Sequence, residues 1–242
     1  MVAVEEFESV SVSLTRRRNI RLAFVALEEE HLGVHCLSTN EQRFLDRLKF
    51  PKRRKEWVSG RLAAKAAALK LLQRDLDPER LEILPSITGE PVLRVSGAPP
   101  DAEPVRVTIS HSGEIAGAAA FRTSEAGAVG LDIERIGPVD PALHHLAFTP
   151  GEISHLQMTA DDGELGRLVL RLWTAKEAVL KAVGVGLKAS LQAVGVTPGD
   201  HADSWRARFI APDGAARMFR VQTAFVGGYV LSLAVSCQSV LQ

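Results

Sequence analysis

The chain has 242 residues, of which 46% are apolar and 24% charged, with 29 basic and 29 acidic side chains. That length buries roughly 70–75% of the unfolded surface, enough for one large domain or two small ones. The balanced charge excludes a global field that would draw the protein to nucleic acid or to an anionic membrane, so any phosphate binding has to be local.

The first 19 residues mix Ser, Glu and an Arg16-Arg17-Arg18 run without a clear period, and a loosely ordered arm is expected there. Ile20 to Glu28 and the stretch around Val34 to Leu37 have strand composition. From Pro51 the apolar positions Val58, Leu62, Ala66, Leu69 and Leu72 recur every three or four residues, which predicts a long helix to near Asp75. Short strands fit Pro91 to Val95, Val105 to Ser110, Ile115 to Phe121 and Gly127 to Glu134. Thr149-Pro150-Gly151-Glu152 opens a helix with a capping hydroxyl and a proline in its first turn. A further helix is predicted over Asp162 to Val183, ending before Gly184. Strands near Trp205 to Ile210, Met218 to Ala224 and Tyr229 to Ser236 complete an α+β chain. The apolar run near Val226 to Val235 is about half a bilayer span, and the acidic N-terminus is unlike a secretory signal, so a cytoplasmic location is expected. Cys36 and Cys237 make no metal-ligand pair and are expected to be buried thiols.

Ala64 to Lys70 matches Ala175 to Lys181 at five of seven positions, about 110 residues apart. This suggests two similar halves, although Ala, Lys and Leu are also the commonest helix formers. The first copy has Ala66 where the second has Glu177.

Several groups could carry chemistry. In Gly130-Leu131-Asp132-Ile133-Glu134 strand alternation points Asp132 and Glu134 from the same face, and paired hard-oxygen ligands suit Mg2+. A half-buried strand with a wet face is the alternative. Glu177 and Lys181 lie one turn apart on the second long helix, where they could serve one ligand or form an ordinary ion pair. Ser110-His111-Ser112-Gly113 ends a strand and could present an imidazole, hydroxyls and N–H groups to an anion. Lys52-Arg53-Arg54-Lys55, with Arg61 and Lys65, gives a basic start to the first long helix that suits phosphate or simply faces water. No interleaved aromatics accompany these cations, which argues against nucleic acid.

Taken together and in order, RRKEWVSGR, GEP, ISHSG, GLDIE, FTPGE and LWTAKEAVLKAVGVGL resemble the 4'-phosphopantetheinyl transferases of the Sfp type, over about Lys52 to Leu187. The resemblance implies a pseudo-dimer of two α+β halves, residues 20–124 and 125–242, each with a long helix on a small antiparallel sheet and the active site between them. It implies transfer of the phosphopantetheine arm of coenzyme A to a serine of an apo acyl or peptidyl carrier protein, releasing 3',5'-ADP. The carrier could belong to fatty-acid, polyketide or peptide synthesis, and neither a membrane nor a second copy is required. Asp132, Glu134 and Glu177 would hold Mg2+, and Lys181 would neutralise phosphate charge. Glu177, or a metal-bound water, would be the general base. Ser110, His111, Arg53 and Arg61 would contact coenzyme A together with Asp132 and Lys181, and Lys65 is a weaker candidate. Glu90 stands where some relatives have a basic residue, and Val185 replaces a lysine. Without the resemblance, a Mg2+-dependent phosphodiesterase or a non-catalytic coenzyme A- or carrier-binding module would fit the same residues.

Overall fold

The computed structural model describes residues 4–15, 19–27, 33–138, 140, 144–159, 161–186 and 189–237. The chain divides into two compact units, Met1–Ala126 and Gly127–Gln242. In chain order the first contains α1 (Val4–Thr15), β1 (Arg21–Ala26), α2 (Thr39–Leu45), α3 (Pro51–Leu72), β2 (Leu81–Pro85), β3 (Pro91–Val95), β4 (Val105–Ser112), β5 (Ile115–Arg122) and the single turn α4 (Thr123–Ala126). Strands β1, β5 and β4 form an antiparallel sheet in that order, and β2 and β3 pair separately. The small side chains of β5, IAGAAAF, let α3 lie close on this sheet through its own Ala63, Ala64, Ala67 and Ala68, all fully buried.

The second unit runs through β6 (Val129–Arg135), the single turn α5 (His144–Ala147), α6 (Pro150–Gln157), α7 (Asp162–Val183), β7 (Val194–Pro198), β8 (Ser204–Ile210), β9 (Ala216–Val226) and β10 (Tyr229–Ser236). Its five strands are antiparallel in the order β6-β10-β9-β8-β7. The 22-residue α7 is capped by the Asp161 carboxylate, which accepts the Glu164 N–H, and stops at Gly184, whose φ of 79° is a left-handed conformation that suits glycine. Leu172, Ala175 and Val179 bury its apolar face against Trp205, Ala207, Phe219 and Val221 of the sheet. Both units are thus α+β, a long helix on an antiparallel sheet.

Each unit is fastened by the same buried device. In the first, Ser38 and Glu41 form a capping box at the start of α2. The Glu41 carboxylate also accepts the Ile83 N–H at 2.9 Å and pairs with Lys65 of α3 at 2.6 Å, while Lys65 donates to the carbonyls of Cys36 and Pro78. About 110 residues later the pattern recurs. Thr149 and Glu152 form the capping box of α6, Glu152 accepts the Val196 N–H at 2.7 Å and pairs with Lys176 of α7 at 2.6 Å, and Lys176 donates to the carbonyls of Ala147 and Leu191. Burial pulls both lysines below the ordinary ammonium range, and the partner carboxylate opposes that in each case. Reproducing one such network in both units, around helices already matched in sequence, is far more specific than a shared Ala-Lys-Leu composition.

The structure corrects four expectations. Residues 4–15 form a helix instead of a loose arm, because Phe7, Ser11 and Leu14 make a stripe that buries on β1, with the Phe7 ring 5.1 Å from Phe24; Arg16, Arg17 and Arg18 lie outside the described residues. Val34–Cys36 is a 3-10 turn and not a strand, since the chain turns the Cys36 carbonyl to Lys65 and then enters the α2 cap. Lys65 is consumed by Glu41 and has no reach to a ligand. Cys237, just beyond β10, is exposed, and Cys36 is only partly buried. Strands β2 and β7 and helix α2, at five to seven residues, are too short to carry a clear periodic signal in the sequence.

Candidate functional site

Strand β6 alternates as its sequence dictates. Leu131 and Ile133 are fully buried on one face, and Gly130, Asp132 and Glu134 occupy the other, toward α7. Two features bring α7 onto that face. Gly130 lies so close to the helix that a methyl built on it would meet the Ala178 carbonyl oxygen at 1.9 Å and the Ala182 nitrogen at 2.6 Å. Ala178 and Ala182, in turn, are the small residues that α7 offers there. This close approach sets Glu177 and Lys181, one turn apart on the helix, beside the strand carboxylates.

Oxygens of Asp132, Glu134 and Glu177 all lie within 4.8 Å of one another, close enough to ligate one ion. Lys181 Nζ is 2.6 Å from Asp132 Oδ1, so the trio of potential negative charges has one cation alongside. Asp132 is 1% exposed, while Glu134 and Glu177 retain some solvent contact. Burial, then the neighbouring Asp132, pushes the Glu177 carboxyl up to about 8; Lys181 opposes this, Glu134 adds to it, and a hydrogen bond from Trp173 again opposes it. Carboxylates crowded in this way need a proton or a divalent cation, and oxygen-only donors at this spacing suit Mg2+ or Mn2+. The donor set therefore fits the metal expected from sequence.

The sequence-selected residues of the first unit fall into two groups. Arg53, in the first turn of α3, and His111, on β4, come together, with Arg53 Nη1 3.4 Å from His111 Nε2 and Glu56 3.6 Å from Arg53. Arg61 is far more enclosed. Its guanidinium lies over the Trp57 ring at 4.4 Å, its Nε donates to the Ile83 carbonyl at 3.2 Å, and burial lowers its pKa to about 10, which leaves it charged at neutral pH. Ser110 is buried on β4. Arg54 serves the fold, donating to the carbonyls of Leu45 and Leu48. Glu90 stands 3.8 Å from Arg106.

Sequence reasoning missed one contributor, Gly130, whose signal was its place at the start of the inward-facing row in GLDIE.

Comparison with known proteins places the same segment. Residues 128–234 match the family model of the 4'-phosphopantetheinyl transferase superfamily. The chain is 30% identical over 165 residues to a putative 4'-phosphopantetheinyl transferase, slr0495, of Synechocystis, a match spanning 65% of this chain and 61% of the relative. It is 27% identical over 186 residues to the 4'-phosphopantetheinyl transferase HetI of Nostoc, covering 73% and 74% of the two chains. Among solved structures, a holo-(acyl-carrier-protein) synthase from Bacillus anthracis in complex with coenzyme A (3',5'-ADP) is 28% identical, covering 42% of this chain and 91% of that one with a TM-score of 0.37. Residues 128–234 of this chain, which carry the acidic trio and Lys181, are thus the part that is similar to the 4'-phosphopantetheinyl transferase superfamily.

Proposed function

We propose that the protein transfers the 4'-phosphopantetheine arm of coenzyme A to a serine hydroxyl of an apo carrier protein, and releases 3',5'-ADP. The convergence of Asp132, Glu134 and Glu177 beside Lys181, inside the segment that matches the superfamily, carries this reading. Asp132, Glu134 and Glu177 would hold Mg2+, which when bound neutralises pyrophosphate charge and polarises the phosphorus under attack. Lys181 adds fixed positive charge at the same place, and its bond to Asp132 holds that carboxylate in orientation. Glu177 takes the serine proton. Burial and the neighbouring Asp132 raise the affinity of the Glu177 carboxylate for a proton. The serine oxygen then bonds to the β-phosphorus as the bond to the oxygen of 3',5'-ADP breaks, a displacement that needs positioning and charge neutralisation more than covalent help. Arg53, Arg61, Ser110 and His111 are the proposed coenzyme A contacts, and the enzyme is proposed to act as a cytoplasmic monomer on carriers of fatty-acid, polyketide or peptide synthesis. Among the described residues no helix is long and apolar enough to cross a membrane.

Incubation with coenzyme A, Mg2+ and a panel of apo carriers should add about 340 Da to at least one carrier, the mass of the arm. Asp132→Ala and Glu177→Gln should each slow this at least about a hundredfold with the fold intact. Cleavage of coenzyme A without any carrier would make the protein a phosphodiesterase instead. Carrier binding without mass gain would make it a binding module.

A further inference from the structure

The largely apolar core between α7 and the sheet is crossed, beside the acidic trio, by a polar seam. Across the face of the sheet that meets α7, Asp132 of β6, Ser232 of β10 and Thr223 of β9 stand side by side in register. Thr174 of α7 reaches into this row, its Oγ1 2.8 Å from Ser232 Oγ, and Ser232 is 3.1 Å from Thr223 Oγ1, which accepts the Trp205 indole N–H at 3.1 Å. Thr174 also donates to the Arg171 carbonyl at 3.2 Å, so the hydroxyls can run in one direction from the indole to the helix backbone with every donor used. Thr174 and Ser232 are wholly buried and Thr223 nearly so.

Buried hydroxyls cost free energy unless they are fully bonded, and an apolar seam would have packed as well. What the hydroxyls add is direction. The flanking contacts of α7, through Leu172, Ala175, Ala178 and Val179, are dispersion and burial, which tolerate small rotations or slides of the helix. A 2.8 Å hydrogen bond does not. It is made three residues before Glu177 on the helix, and on the sheet by the residue directly opposite Asp132, so it fixes the helix-borne ligand against the strand-borne one.

We infer that the Thr174–Ser232 hydroxyl pair is a positioning element that sets Glu177 against Asp132 and Glu134 for binding a divalent cation. This rests on the metal reading of the acidic trio. The test is Mn2+ binding to the full-length protein, measured by electron paramagnetic resonance and by calorimetry, without coenzyme A or a carrier. Thr174→Val and Ser232→Ala should each weaken Mn2+ binding about tenfold or more, the scale on which outer-shell partners act, while melting temperatures measured without metal fall only by the few degrees that a stranded buried hydroxyl costs. Thr174→Ser, which keeps the hydroxyl and drops the methyl, should restore wild-type affinity. Unchanged Mn2+ affinity in Thr174→Val and Ser232→Ala overturns the positioning role and leaves the metal site standing, as does a Thr174→Ser variant as weak as Thr174→Val. Failure of the wild-type protein to bind Mn2+, or binding untouched by Glu177→Gln, overturns both.

Discussion

Replacing Gly130 with alanine tests whether the approach of α7 to β6 makes the site. The added methyl would sit 1.9 Å from the Ala178 carbonyl oxygen and 2.6 Å from the Ala182 nitrogen, where ordinary contact begins at 3.4 Å. Both obstacles are backbone, so no side chain can swing aside; helix and strand must separate by about 1.5 Å at this point. Overpacking of this kind costs about 1–3 kcal/mol, and the rigidity of both partners argues for the upper end. For a chain of this size that corresponds to a melting temperature lower by about 5–10 °C. The functional loss should be larger than the stability loss implies. Glu177 and Lys181 ride on the displaced helix while Asp132 and Glu134 stay on the strand, so a shift of this size takes the trio out of common reach of one ion. The assay pairs thermal melts, with and without Mg2+, with the carrier mass-shift rate. Gly130→Ala should melt early, lose the Mg2+-dependent rise in melting temperature and transfer at least about a hundredfold more slowly. Gly195→Ala on β7, where a methyl meets nothing within 4 Å, is the control and should be close to neutral. A Gly130→Ala protein with wild-type melting and a wild-type response to Mg2+ would refute the claim that close packing assembles the trio.

Glu177 also predicts how stability depends on pH. Its carboxyl titrates near 8 in the folded protein against 4.5 for an unperturbed glutamate, so the folded state holds the proton more tightly; the stability this gives is complete below pH 4.5 and is lost as pH rises through 8. Without metal the protein should lose on the order of 5 kcal/mol across that window, Glu177→Gln should flatten the loss, and Mg2+ should stabilise more strongly as pH rises because it replaces the proton. A pH-independent melt of metal-free protein would count against this crowding. Lys65→Met strands the buried Glu41 carboxylate and should cost about 3–5 kcal/mol, whereas Lys65→Met with Glu41→Gln, whose amide oxygen still accepts the Ile83 N–H, should recover much of it; denaturant melts decide. Arg61→Ala should raise the coenzyme A Michaelis constant more than it lowers turnover, and should also lower the melting temperature by removing the stack on Trp57. An unchanged Michaelis constant with early melting would make Arg61 purely structural.

The parts of this protein legible in its sequence are those where local pattern and burial agree. The α7 boundaries follow from apolar spacing and a terminal glycine, and the alternation of apolar with acidic residues in β6 and of buried with exposed ones in β8 identifies which side chains share a face. Asp132 and Glu134 could be paired on that ground alone, but their meeting with Glu177 depends on how closely a helix can approach a strand, a distance no local pattern encodes and which Gly130 decides. The basic residues of α3 show the converse failure. Lys65, Arg54 and Arg53 are alike in charge, yet the first fastens Glu41, the second closes on backbone carbonyls and the third meets His111, because helix phase alone separates a buried cation from an exposed one. The capping-box and lysine network is common to the two units. Lys65 and Lys176 hold corresponding places, with the same kind of carboxylate, backbone N–H and carbonyl partners. The next residue is Ala66 in the first helix and Glu177 in the second. Selection for folding explains the shared lysine. It does not explain Glu177, whose crowding beside Asp132 disfavours its charged form, a cost that the first helix does not bear at Ala66 and that the proposed metal site would account for.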